Sequence, residues 1–470
     1  MSDEGGLRRQ IGLRTATALV VGETIAVGIF LTPAEMAKSL GSPALVLAVW
    51  LVMGAMALCG ALCYGELAAR FPEAGGGYVY LREAYGRPVA FLYGWMALLV
   101  MDPGITAALA VGLGGYAAYL FGLGGAWPKV IGVGAIVLVA AANVRGVSFG
   151  AGLVRWLTVL KLGLLLLIPL WGFGLALGDW SNFTPLVAQR EGSAPLVGAL
   201  AGALVVAFFS FGGWWDLNKL AGEVREPSKT LPRALAYGVL VVTLVYILTS
   251  AVFVYLVPIE RVASGETFAA QAGEVLFGRA GGQVFAAIVV VAVGGSLAGL
   301  MLAAPRVYFA MARDRLFPEA AARLHPKTGT PARAVVVQAA LASLLVALGT
   351  FREIVAYFIF SVVVFIALTV VALFVLRRRE RAVDERRADE NGVTRRATDG
   401  VVYRTPGYPL TPAFFLLLTA LMLVLLGAGS PRQSLLGVAV VASGLPFYYL
   451  VFRRGRAARA PSAGEEHTTS

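Results

Sequence analysis

The feature that most constrains this chain is a series of long apolar blocks, among them 45–67, 130–142, 235–257 and 355–376. A helix needs about 20 apolar residues to cross the roughly 30 Å hydrocarbon layer of a bilayer, and these blocks reach or approach that length. Backbone groups cannot stay unpaired in lipid, so a spanning chain must be helical or a closed barrel. Barrel strands alternate in polarity over about ten residues, and nothing here does. Of 470 residues, 58% are hydrophobic and only 14% charged, against about 25% charged in soluble chains. The expected fold class is an all-α integral membrane protein.

The apolar pattern predicts twelve transmembrane helices, at 13–37, 44–69, 88–119, 128–144, 154–176, 197–220, 232–257, 282–304, 332–350, 353–376, 410–428 and 433–452. The basic residues test that count. With the N-terminus inside and span ends counted with the connection they adjoin, the tails and the even-numbered connections hold 31 of the 39 Lys and Arg, the outward connections hold seven, and Lys161 lies deep within a span. This asymmetry is what the positive-inside rule predicts. It places both termini in the cytoplasm of a multi-pass protein of the inner or plasma membrane. The net charge of +12 is therefore a topology signal, and no nucleic acid partner is expected; the partner surface is the lipid bilayer. No cleavable signal peptide is evident, because 1–10 is short and polar and the first apolar block outruns a signal h-region.

The implied organisation is a cytoplasmic tail at 1–12, a first five-helix group at 13–176, a second at 197–376, a solvated cytoplasmic linker at 377–409, two further helices within 410–453, and a disordered tail at 454–470. His325 falls in a loop and His467 in the tail, so no histidine chemistry is available within the membrane. Cys59 and Cys63, one turn apart in an apolar run, read as packing residues rather than metal ligands. An intramembrane enzyme would need a clustered nucleophile, base or acid pair at one depth. No enzyme activity, metal or cofactor is expected.

Two spans depart from simple apolar helix. The first reads Val21-Gly22-Glu23-Thr24-Ile25-Ala26-Val27-Gly28-Ile29-Phe30-Leu31-Thr32-Pro33, and the sixth Phe208-Phe209-Ser210-Phe211-Gly212-Gly213-Trp214-Trp215-Asp216. Interior glycine costs about 1 kcal/mol against alanine, although paired glycines also serve close helix packing. These helices each begin a five-helix group. Five is odd, so the second group starts from the opposite side of the membrane, which makes an inverted repeat. Interrupted helices at matching places in two such halves point to a transporter's central site. Unwinding frees N–H groups at a positive helix end, which suit a carboxylate, and carbonyls that suit an ammonium. Both together suit a zwitterionic amino acid.

Three ionisable residues fall near mid-depth: Glu23, Asp102 and Lys161. Each costs a few kcal/mol there when charged and unpaired. For Lys161 the readings are a partnered role, proton exchange eased by burial, or snorkelling to an interface. Glu23 and Asp102 fit a polar network with Lys161, a proton carrier, or counter-charges for a cationic substrate. Asp216 and Lys219, past the sixth-helix break, are assigned to an inner vestibule.

At these residues the chain resembles the amino acid–polyamine–organocation superfamily, and within it the L-type amino acid transporters and their bacterial relatives. The first-helix motif is matched by Gly22 through Pro33, and the sixth-helix motif by Phe209-Ser210-Phe211-Gly212-Gly213-Trp214. The following loop is matched by Glu223-Val224-Arg225-Glu226-Pro227 and Leu231-Pro232-Arg233. Further matches include Tyr64-Gly65-Glu66-Leu67 with Phe71-Pro72, Gly75-Gly76-Gly77-Tyr78, and Pro406-Gly407-Tyr408-Pro409. The resemblance implies a five-plus-five inverted repeat with two added helices, and sodium-independent amino acid transport by exchange or proton symport. Carried over by position, backbone at Ala26, Val27 and Gly28 holds the substrate carboxylate, and carbonyls near Ile25 and Phe211 its ammonium. Gly212 and Gly213 form the second break, Phe209 is an aromatic gate, and Trp214 closes the motif. Lys161 occupies the region where sodium-coupled relatives bind an ion. Ala26-Val27-Gly28 replaces the family's Gly-Ser-Gly and Trp215 stands where many members have asparagine, which bears on selectivity. With no outer-loop cysteine, no disulfide-linked subunit is expected. Polyamine or cationic amino acid transport is the alternative, and a transporter-like sensor is the reading from a different class.

Overall fold

The first apolar block does not form one helix. In the computed structural model, α1 (Leu13–Thr24) ends where Ile25 turns extended, with φ −76° and ψ 94°, and α2 (Gly28–Leu40) resumes the path. Gly28 permits this close crossing: a Cβ there would lie 2.9 Å from the Ser210 Cα. The structure describes residues 7–26, 28–262, 268–349, 351–391 and 403–453. Val27, the first six residues, the middle of the 377–409 linker and the 454–470 tail lie outside the described residues.

The remaining helices follow from the sequence's punctuation. α3 (Pro43–Arg70) begins with Ser42 as N-cap, its hydroxyl accepting from Leu45 N at 3.4 Å, and proline in the first turn. α4 (Gly77–Tyr85) leads into α5 (Arg87–Leu120). One π-turn, Ala97–Met101, interrupts α5 just before Asp102-Pro103, where the proline lacks an N–H for the ladder. Next come α6 (Trp127–Val144), α7 (Val147–Gly174) and α8 (Leu196–Ser210). α8 stops before Gly213, whose φ of +107° suits a residue without a Cβ, and a 3-10 segment, Trp214–Glu223, continues beyond it.

After it come α9 (Pro227–Leu256), α10 (Phe268–Phe277), α11 (Gly281–Arg313), α12 (Ala332–Leu348) and α13 (Phe351–Asn391). α14 (Leu410–Gly429) and α15 (Pro431–Phe452) complete the chain. Among the described residues there is no strand, only an isolated bridge between Ile11 and Val224.

Ten of these helical stretches are long and apolar enough to cross a membrane, counting α8 with its 3-10 extension. The other two segments in the sequence reading are the broken α1–α2 pair and the 17-residue α12. The chain is an all-helical, multi-pass membrane protein. Large apolar side chains on its outer surface, including Leu138, Leu170, Leu417 and Leu435, face outward, which lipid tolerates and water does not. Close crossings inside rely on small residues: a Cβ on Gly54 of α3 would lie 2.4 Å from Thr243 Cγ2 of α9.

One boundary differs from the sequence reading. The expected linker at 377–409 begins as helix, because α13 runs on to Asn391. Its Arg, Glu and Ala residues favour helix, so the ladder persists after the apolar run ends. The far end of that linker is also packed. Glu66 of α3 is fully buried and accepts from Arg377 Nε at 2.9 Å, Arg70 Nη2 at 2.5 Å and Thr405 N at 2.7 Å. The Arg377 guanidinium lies 3.9 Å from the Tyr408 ring centroid.

Candidate functional site

The two breaks face each other across a cavity of about 60 Å³. Its walls come from Glu23, Thr24, Ala26 and Gly28 at the first break, and Phe208, Phe209, Ser210, Gly212, Gly213, Trp215 and Asp216 at the second. Ile105 and Leu109 of α5, Ser296 and Leu300 of α11, and Phe358, Ile359 and Val362 of α13 close it. A few polar groups in a mostly apolar enclosure is the usual character of a small-molecule site.

Side chains hold the breaks open. Lys161 of α7 is fully buried, and its Nζ donates to Gly22 O at 2.7 Å, Ile25 O at 2.5 Å and Ser296 Oγ at 3.0 Å. These three bonds use its whole donor capacity. The Ser296 hydroxyl lies 2.7 Å from Gly22 O and 2.9 Å from Ile25 O, and donates its one proton to either. The unwound stretch of the first helix is therefore tied to α7 and α11. On the other side, the Tyr246 hydroxyl of α9 lies 2.9 Å from Thr24 O and 2.7 Å from Ser210 O. One phenol thus joins the carbonyls at which α1 and α8 end. The hydroxyls of Thr32 and Ser210 are 2.7 Å apart and link α2 to α8.

A second polar cluster adjoins the cavity through Asp216. Lys219 Nζ is 2.7 Å from both Asp102 Oδ1 and Asp216 Oδ1, and all three side chains are buried. Tyr308 Oη donates to Asp102 Oδ2 at 3.0 Å. Asp216 and Lys219, assigned from sequence to an inner vestibule, are both buried. The 3-10 segment carries them inward, toward Asp102 of α5. At the end of this segment Glu223 pairs with the fully buried Arg306, Oε1 to Nε at 2.7 Å.

The sequence-derived site residues divide accordingly. Glu23, Ala26, Gly28, Phe209, Gly212 and Gly213 line the cavity together. Ile25 and Lys161 stand behind the first break, bonded to one another. Asp102 pairs with Lys219, not Lys161. Phe211 packs on Trp50 and Tyr246, with ring centroids 6.0 and 5.2 Å away. Trp214 turns to Tyr64, 5.1 Å away edge-to-face, while its neighbour Trp215 faces the cavity. Sequence reasoning missed Tyr246 and Tyr308, which carry no local motif, and undervalued Ser296.

The amino acid permease family profile matches residues 11–452. The serine/threonine exchanger SteT of Bacillus subtilis is 32% identical over 462 residues, covering 96% of this chain and 99% of that protein. The human cystine/glutamate transporter is 28% identical over 449 residues, covering 94% of this chain and 85% of its own length. The human large neutral amino acids transporter small subunit 2 is 28% identical over 460 residues, covering 94% and 80%. A match spanning almost the whole sequence, on a chain whose two broken helices enclose a cavity, establishes that this protein belongs to the amino acid permease family.

Proposed function

We propose that this chain is an amino acid transporter that works as a sodium-independent exchanger by alternating access. The observation that carries the reading is the cavity enclosed between two broken helices, lined by residues of both breaks. Twelve spans are proposed: the ten long helices, the α1–α2 pair and α12. The first five, within 13–176, and the next five, within 197–376, form an inverted repeat, and α14 and α15 are additions. Both termini are cytoplasmic, in keeping with the distribution of Lys and Arg.

The substrate carboxylate is held at the start of α2 by backbone at Ala26, Val27 and Gly28, where the positive helix end favours an anion. Carbonyls of the second break, around Phe211 and Gly212, face the rest of the zwitterion. Phe209 shields it from one side. Lys161 supports the reading of sodium independence: its ammonium fills the polar gap between α1, α7 and α11 that a metal cation would otherwise require. Exchange is favoured because the SteT relative, named an exchanger, aligns over nearly all of both chains.

Uptake of labelled amino acids into liposomes containing the purified protein tests this. The expected result is uptake that internal amino acid stimulates and that is indifferent to sodium. Uptake of polyamines alone, or uptake only with a sodium gradient, would contradict it.

A further inference from the structure

Among the described residues, Glu23 is the buried acid of this site whose two carboxylate oxygens both lack a hydrogen-bond partner. Among the described residues, five buried ionisable groups surround the breaks: Glu23, Asp102, Asp216, Lys161 and Lys219. Three are acids and two are bases. Lys219 sits between Asp102 and Asp216, and Lys161 directs all its protons to two carbonyls and a hydroxyl. Neither carboxylate oxygen of Glu23 has a hydrogen-bond partner among the described residues. Its side chain is 6% exposed and lines the cavity.

Among the described residues, nothing packed against Glu23 gives it a hydrogen bond. α11 presents Gly299, where a Cβ would lie 2.6 Å from Glu23 Cγ, and Ser296, whose proton is directed to a carbonyl. The charged groups that face it are Lys161 from α7, Asp216 and Lys219 from the 3-10 segment, and Asp102 from α5. Three of the carbonyls freed at the breaks are meanwhile engaged. Ile25 O accepts from Lys161 and lies within reach of Ser296, and Thr24 O and Ser210 O share the Tyr246 hydroxyl.

We propose that Glu23 is the counter-ion for the transported amino acid's α-ammonium, and that a proton replaces the ammonium when the site is empty. This rests on the reading of the cavity as the amino acid site. A bare carboxylate in an apolar enclosure is costly, so the carrier changes sides only when Glu23 holds a cation. On loading, the neutral carboxylic acid releases its proton to solvent and the carboxylate takes the ammonium. The charge on the side chain is thereby compensated in both states. Substrate and proton compete for one group, and the amino acid that leaves must be replaced by another amino acid or by a proton.

The test is binding of L-serine and L-leucine to the purified full chain across pH, with proton release followed in weak buffer by a pH indicator. Release of close to one proton per amino acid near neutral pH is expected. The apparent Kd should rise up to about tenfold for each unit of falling pH, the limit for single-proton competition. Glu23→Gln should bind about 10- to 100-fold more weakly and lose both the proton release and the pH dependence, while Glu23→Asp keeps them. Binding by Glu23→Gln with the original affinity and pH profile overturns the proposal. Absence of proton release from the unmodified chain does so without any variant. If the unmodified chain transports amino acids but releases no proton, this inference alone fails; if it transports none, the reading beneath it fails too.

Discussion

Replacing Lys161 with methionine keeps most of the side chain's volume and removes its charge and all three donors. In the native site those donors reach Gly22 O, Ile25 O and Ser296 Oγ. Ser296 alone can then satisfy only one of the two carbonyls. The other is left buried without a donor, at about 1–3 kcal/mol. Relief from burying an ammonium offsets part of this, so a net loss of at most about 2 kcal/mol is expected. Unfolding entropy near 2.1 cal/mol/K per residue, over 470 residues, makes that a fall of at most about 2 °C in Tm. The functional effect is larger. The same loss, acting on the conformations open to the first break, reduces the binding-competent population up to about 30-fold. Thermal unfolding followed by tryptophan fluorescence, with amino acid counterflow on the same preparation, measures both. Counterflow within about twofold of the original at an unchanged Tm would refute the argument that Lys161 holds the break.

Other variants probe separate contacts. Lys219→Met strands Asp102 and Asp216 as buried unpaired acids and should cost about 3–5 kcal/mol, with part of the loss recovered when Asp102→Asn is added; chemical denaturation of both variants reads the difference. Tyr246→Phe removes the one hydroxyl between Thr24 O and Ser210 O; about 1 kcal/mol of stability is lost, and counterflow falls further than that stability loss alone explains. Gly213→Ala forces a Cβ to within 2.9 Å of Glu23 O at φ +107°, a strain of at least about 1–2 kcal/mol, seen as a lowered Tm and reduced uptake.

Much of the membrane architecture was legible because lipid imposes a simple rule, that spans be long, apolar and helical. The break in the first span could be read from Gly22 to Gly28, and that in the sixth from Gly212-Gly213, since these residues weaken the ladder where hydropathy alone would continue it. What lay beyond reach were partnerships between distant elements. Lys161 was conspicuous as a buried cation, but its acceptors are backbone carbonyls, which no sequence pattern marks. Asp216 and Lys219 read as vestibule residues because a polar run after a span suggests solvent; the 3-10 turn that carries them back to Asp102 is a tertiary outcome. Tyr246 looked like one aromatic among many. The continuation of α13 to Asn391 was hidden because hydropathy reports where lipid ends, not where helix does.

The most direct test of the central claim, that the substrate sits between the two breaks, uses a single cysteine. The native Cys59 and Cys63 are first replaced with alanine, and Ala26→Cys, on the cavity wall, is labelled with a small water-soluble thiol reagent. Transported amino acids are expected to slow labelling in proportion to their occupancy, and labelling to abolish counterflow. Labelling that proceeds at the same rate with saturating amino acid, on protein that still transports, would contradict it.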